Sequence, residues 1–480
     1  MFNEIDGSRG GHEQVCPTSR LVPVLLLPIV AACGGADAPP VDSTGACRGV
    51  EVSTDSSYVA PGLCVRAVAN DQGPVRQLTF APNGDLLAAR ADGSILRYRD
   101  LNDDGIFEGS REIVRVAMTG GMNGNNAHLA DGFLYAGSTD GVVRFAYSDD
   151  AEQLATGEDV IVGQPSDGTH QLHTVHVYDG WLYVHSGSAD NAMAPMAPDY
   201  DSERATLRRF KLSDFESGTP FQWADGENVV LGVRNMVGFT QNAAGRMYGV
   251  VNGLDSLMYG GQDVHLDNPG DDLIRIEMGA EHGYPYCFTA QHIQVAGEMV
   301  EPGTQLASAT DASQPDPDFS NPHDDAWCAE HSLPPVTFTP AHAAPLDIVF
   351  DDGADALPEQ FRGGAFVALH GSWDTLPSVG HKIVFIPFDS AGNAPMPTAD
   401  ADGTTFPFTT VFGGGRNGQE KDGIWSWANG SWGEEPVRPV GVAISPVDGA
   451  LYVSSDNAGI FGGPDAEKQG AIYRIRKDER

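Results

Sequence analysis

Residues 100–105 read Asp-Leu-Asn-Asp-Asp-Gly. Asp100, Asn102 and Asp104 in this spacing can converge their oxygens on one hard cation, and Gly105 permits the sharp turn such a loop needs. The loop is therefore a candidate calcium site. The closing glutamate of an EF-hand is out of register, because Arg111 stands at that offset; an acidic turn without metal is the alternative. Histidines form the second group. His170, His173 and His176 lie close together in GTHQLHTVHVYDGWLYV. An imidazole titrates near neutrality and is a natural general base. His176 follows the alternation of a buried strand and reads as core. His128, His342 and His370 precede or end apolar strands, where they line a pocket or pack and hydrogen-bond. No short His or Cys spacing marks a zinc site.

The elements that must position these residues are strands. An apolar alternating strand, a Gly or Asp-Gly turn and a second apolar strand recur at 77–90, 128–138, 174–188, 236–253, 345–372 and 439–456. Each copy is followed by a third alternating strand, as in SILRYRD, GVVRFAY and AIYRIRK. Helical periodicity is nearly absent. Six such units predict an all-β chain, a six-bladed β-propeller with four-stranded antiparallel blades, since radial closure leaves few exposed edges. LCVRAVA at 63–69 is expected to pair with the last blade and close the ring. Long insertions at 189–204, 254–270, 286–340 and 390–437 are where binding sites tend to lie.

The chain carries 66 Asp and Glu against 28 Lys and Arg, a formal net charge of -38. Such a surface repels phosphate backbones, so no nucleic-acid partner is expected. Arg20 precedes the apolar run LVPVLLLPIVAAC, too short for an ordinary membrane span but fitting a signal peptide. Val30-Ala31-Ala32-Cys33 resembles a lipobox. The expected organisation is a lipoprotein signal peptide at 1–33, a tether and N-terminal segment at 34–60, and the propeller at 61–480. The chain would be exported, lipid-anchored to a membrane surface, and periplasmic or at the cell surface, with the outer membrane as the expected anchor site. Of the remaining cysteines, nearness in sequence favours the pairs Cys47–Cys64 and Cys287–Cys328.

Several segments resemble the PQQ-dependent glucose/sorbosone dehydrogenase family, in its sorbosone-dehydrogenase-like branch. They are GVRNMVGFTQNAAGRMYGVVNGLD, DDLIRIEMGAEHGYPYC, PAHAAPLDIVF, FRGGAFVALHGSW and RPVGVAISPVDGALYVSSDNAG, in the family's order. The resemblance implies a quinoprotein that holds PQQ and Ca²⁺ over the ring's axis and oxidises an aldose or sugar aldehyde. Its electron acceptor is unknown. It implies His170 as the base and Arg234 as the guanidinium that stabilises charge on the quinone. Asn235, Asn252, Arg438 and Lys382 fall at cofactor positions, although Lys382, in a third strand, also reads as a surface charge. Asn252, Gly253 and Leu254 fall at the calcium segment, with Asp255 beside them. Asn123 or Asn125 falls near a glutamine position. Val440 and Asp374-Thr375 stand where relatives carry further cations, which weakens the cofactor grip. The alternative function is a non-catalytic propeller binding carbohydrate or protein partners.

Overall fold

The computed structural model describes residues 41–42, 49–51 and 57–479, except 103, 118–125, 167, 172, 193–202, 296, 311–319, 352, 354, 373–378, 397–407, 417–418, 421–436 and 457–469. The leader with Cys33, together with Cys47, Asn123, Asn125, Asp374 and Thr375, lies outside the described residues.

Six antiparallel blades follow one another along the chain. The first is Val75–Phe80, Leu86–Arg90, Ser94–Tyr98 and Ser110–Arg115. The third is Val175–Tyr178, Trp181–Ser186, Thr206–Lys211 and Glu227–Leu231. The fourth is Asn235–Gln241, Met247–Asn252, Asp271–Ile276 and Thr337–Thr339. The fifth runs from Pro345–Phe350 through Gly364–Leu369 and Lys382–Pro387 to Thr409–Arg416. Local chemistry explains the hairpins. Tyr178 pairs with Trp181 across a loop of Asp179 (φ 51) and Gly180 (φ 76). Positive φ at both loop positions matches the right-handed twist of the flanking strands, and Asp-Gly supplies it cheaply. Asp131 and Gly132 repeat the device in blade two, which is Ala127–Ala130, Phe133–Ser138, Gly141–Ala146 and Glu158–Val162.

The last blade has Pro439–Ile444, Leu451–Ser455 and Ala471–Lys477, and its fourth strand comes from the other end of the chain. Leu63–Asn70 runs antiparallel to it, from Ala471 opposite Asn70 to Lys477 opposite Leu63. The expected closing strand is thus observed. Ser57–Val59, inside the segment read as a tether, adds a strand to the edge of blade five against Thr409–Arg416. The N-terminal chain therefore spans the seam between blades five and six. At the next seam, Val68, Val75 and Leu86 pack with Tyr452 and Ile472 in one buried cluster. Each such side chain contributes about 1.5–3 kcal/mol by leaving water. Near the axis the inner strands are too crowded for a Cβ at Gly441, which would come within 2.5 Å of the Arg76 carbonyl.

The one α-helix among the described residues, Asp325–His331, sits in the long insertion. Asp324 caps it by accepting from the Trp327 N–H. The expected Cys287–Cys328 disulfide is formed and ties this helix to the short strand Cys287–Thr289 of the same insertion. Cys64 is also disulfide-bonded.

Candidate active site

In every blade the start of the inner strand and the end of the second strand lie at the same end. Arg234 immediately precedes an inner strand, and Arg438 precedes another. Asn252 ends a second strand and pairs with Asn235 across it. His370 and Asp456 follow second strands. Lys382 begins a third strand at that same end. His170 approaches the inner strand of blade three from this side. These residues therefore gather around one mouth of the ring. The Asp100 loop follows a third strand, and so lies on the opposite face.

His170 is half-buried, and its Nδ1 stands 2.7 Å from the Ser188 Oγ. The Ser188 hydroxyl donates its own proton to the Asp190 carbonyl at 2.8 Å. Burial first, and then the charge of Arg234, hold this imidazole well below its ordinary pKa of 6.5. It is a neutral base close to a guanidinium. His173, the other nearby candidate, is buried on the side of blade two. His176 lies deeper, packed on His128 with ring centroids 4.7 Å apart and stacked on Tyr178.

Arg234 is buried and held from both sides. Its Nε donates to the Asn191 carbonyl and its Nη2 to the Asn191 Oδ1, each at 3.0 Å. Nη2 also reaches the Asp255 carboxylate at 2.7 Å, and Nη1 the Gly253 carbonyl at 2.5 Å. Asn252 donates to the Pro345 carbonyl at 2.8 Å and its Oδ1 lies 3.5 Å from the Asn235 amide, tying blade four to blade five. The Leu254 side chain is buried in an apolar cluster with Tyr284 and Phe288, so only its backbone is left for polar work. Behind Gly253, Asp271 accepts from the Gly253 and Ala344 N–H groups, each at 2.8 Å.

The Arg438 side of the mouth contains groups that sequence reasoning did not single out for the site. Arg438 Nη2 donates to the His370 Nδ1 at 2.9 Å. His370 therefore carries its proton on Nε2 and donates it to Asp456, at 3.0 Å to Oδ1. Arg76 of blade one completes the chain with a 2.6 Å ion pair to the same carboxylate. Burial first, then Arg438, lowers the His370 pKa to about 4. Burial also lowers Arg438 to about 10. His381, fully buried at φ 58, is pushed down to about 3 by burial and by Arg438, His370 and Lys382. Lys382 is buried, which corrects the surface-charge alternative. Arg76, Arg438 and Lys382 and the carboxylate of Asp456 are the charged groups acting on these two imidazoles. The available signal was a charged residue inside each of two apolar strand runs, Arg76 in PVRQL and Asp456 after YVSS.

On the far face, Asp100, Asp104 and Glu108 bring carboxylate oxygens within 4.8 Å of one another. Glu108 stands at the ninth position of the loop counted from Asp100, a ligand position in EF-hands that the Arg111 comparison passed over. Asn102 turns its Oδ1 inward to the Asp104 N–H at 3.0 Å. Arg474 of the last blade packs on Gly105 and pairs with Asp448, bringing a guanidinium to this loop.

A closed ring of six four-stranded blades thus carries a half-buried imidazole and buried guanidiniums around one mouth. The TrAA12-like family model matches residues 57–461, and the chain belongs to that family. It is similar to the pyrroloquinoline quinone-dependent pyranose dehydrogenase of Coprinopsis cinerea, 28% identical over 86% of this chain and 55% of that one. It thus spans about half the length of that relative. A pyrroloquinoline quinone-dependent sugar dehydrogenase of Hypocrea jecorina is 26% identical over 74% of this chain and 80% of its own. The solved holo form of the Coprinopsis cinerea pyranose dehydrogenase PQQ domain shares the fold. Its TM-score is 0.70 at 24% identity, covering 88% of this chain and 97% of that one.

Proposed function

We propose that the chain is a PQQ-dependent dehydrogenase that oxidises a sugar at the mouth of the ring. One observation carries this reading: His170, held neutral, lies beside the buried Arg234 at the mouth of the ring where Arg76 and Arg438 are also buried. PQQ, a tricarboxylate o-quinone, supplies the hydride acceptor when bound. Arg438, Arg76 and Lys382 offer its carboxylates charge-assisted hydrogen bonds, and Asn235 and Asn252 offer amides. Arg76 fills the role left open by Val440. His170 Nε2 takes the proton of the sugar hydroxyl as the C–H bond gives up its hydride. Arg234, fixed by Asn191 and Asp255, stabilises the negative charge that develops beside it.

Calcium belongs to the same proposal at two places. Asn252, with the carbonyls of Gly253 and Leu254, offers oxygen ligands at the mouth, where Arg234 shares the Gly253 carbonyl. Asp100, Asp104 and Glu108 offer carboxylates on the far face, with Asn102 in the loop between them.

The test is reconstitution of chain lacking the leader with PQQ and Ca²⁺, followed by dye reduction against a panel of aldoses and sugar aldehydes. Turnover dependent on both additions is expected. Tight PQQ binding with no oxidation of any sugar would leave only the ligand-binding half of the proposal. We further propose export and lipid anchoring at Cys33. Cys33→Ser is expected to move the protein from the membrane fraction to the soluble one, and unchanged membrane association would refute the anchor.

A further inference from the structure

We propose that the strap 187–191 positions both members of the reacting pair, with Ser188 selecting the tautomer of His170 and Asn191 fixing Arg234. This rests on reading His170 as the base and Arg234 as its charge partner. A serine hydroxyl has one proton to give. With that of Ser188 on the Asp190 carbonyl at 2.8 Å, its oxygen accepts from His170. Nδ1 must therefore carry the imidazole proton, which leaves the Nε2 lone pair for substrate. The opposite tautomer would have to draw the Ser188 proton away from the Asp190 carbonyl to Nδ1. A few residues on, Asn191 grips Arg234 with its backbone and side-chain oxygens, and its Nδ2 donates to the Asp255 carbonyl at 2.8 Å.

The strap is built to stay in place. Ser188 is fully buried, and its N–H donates to the Arg234 carbonyl at 2.9 Å. A Cβ at Gly187 would lie 2.6 Å from the His170 carbonyl, so the close approach demands glycine. The Tyr284 hydroxyl lies 2.8 Å from the Asn191 carbonyl and 3.2 Å from that of Asp190. Base and arginine are thus spaced by one short backbone segment, and displacing it moves both.

The experiment uses the full chain labelled with ¹⁵N-histidine, without added PQQ. His170 resonances are assigned by their loss in His170→Ala. The wild type is expected to show His170 as the Nδ1–H tautomer, Ser188→Ala a mixture, and Ser188→Thr, which keeps the hydroxyl, the wild-type signal. In the reconstituted protein, Ser188→Ala is expected to lower kcat about 100-fold with KM and PQQ affinity within about threefold. Asn191→Ala is expected to lower kcat without altering the His170 tautomer. A wild-type His170 protonated on Nε2, or a Ser188→Ala variant with full kcat, overturns the proposal. If the wild type binds no PQQ while the tautomer responds to Ser188→Ala, the strap stands and the quinoprotein reading falls. If turnover is normal and the tautomer is indifferent to Ser188, the reverse holds.

Discussion

His170→Ala is expected to lower kcat/KM by about 10²–10⁴-fold, the usual contribution of a positioned general base. PQQ affinity should stay within a few-fold of wild type, because the cofactor's charge is met on the Arg438 side. The pH dependence carries a sign. Burial and Arg234 favour the neutral imidazole, so its folded pKa lies below the ordinary 6.5. The acidic limb of the wild-type kcat/KM profile should therefore fall below pH 6.5, and activity should be flat through neutrality. An acidic limb above pH 7 would contradict the environment assigned to His170. The same displacement links to stability. The unfolded chain binds the proton more readily, so acidification through 6.5 weakens the fold by this contribution.

The second large effect is on stability. Asp456→Ala should destabilise the protein by roughly 3–5 kcal/mol, because it strands Arg76 and removes the acceptor of His370 in a buried network. Urea midpoints measure it. Burial alone would raise the Asp456 pKa, but His370, Arg76 and Arg438 together hold it below 3.8. The carboxylate's contribution is therefore fully present above about pH 4, the ordinary Asp range, and is lost as pH falls through the lower folded value. The gap between wild type and Asp456→Ala should narrow only in that acidic window. A gap that stayed constant down to pH 2 would mean that packing, not charge, dominates the site.

The blades were legible because each strand alternates in hydrophobicity and each hairpin needs residues that tolerate positive φ, as at Asp179-Gly180. The closing strand was legible because Leu63–Asn70 is an alternating strand with no hairpin partner of its own. The site was less so. His170 and Arg234 emerge from family resemblance rather than from spacing. Arg76 and Asp456 were not assigned to it at all, and His370 read only as a histidine that lines a pocket or packs, since the contact joining positions 76, 370, 438 and 456 exists only once the ring closes. Lys382 read equally well as a surface charge, since a strand pattern gives no hint that the start of a third strand is covered. Glu108 escaped notice because the search for a closing ligand looked at one offset. Ser188 and Asn191 are ordinary loop residues by composition, and their importance comes from where the backbone turns.

The central claim is that the mouth of the ring is a cationic seat for a flat, anionic quinone. Titrating PQQ into the Ca²⁺-loaded protein, and following the quinone absorbance for wild type and Arg438→Ala, tests it most directly. The account expects saturation at one PQQ per chain for the wild type, and affinity at least about tenfold weaker for the variant, the loss expected from one charge-assisted hydrogen bond. Absence of saturable binding to the wild type, or identical binding by both proteins, would contradict it.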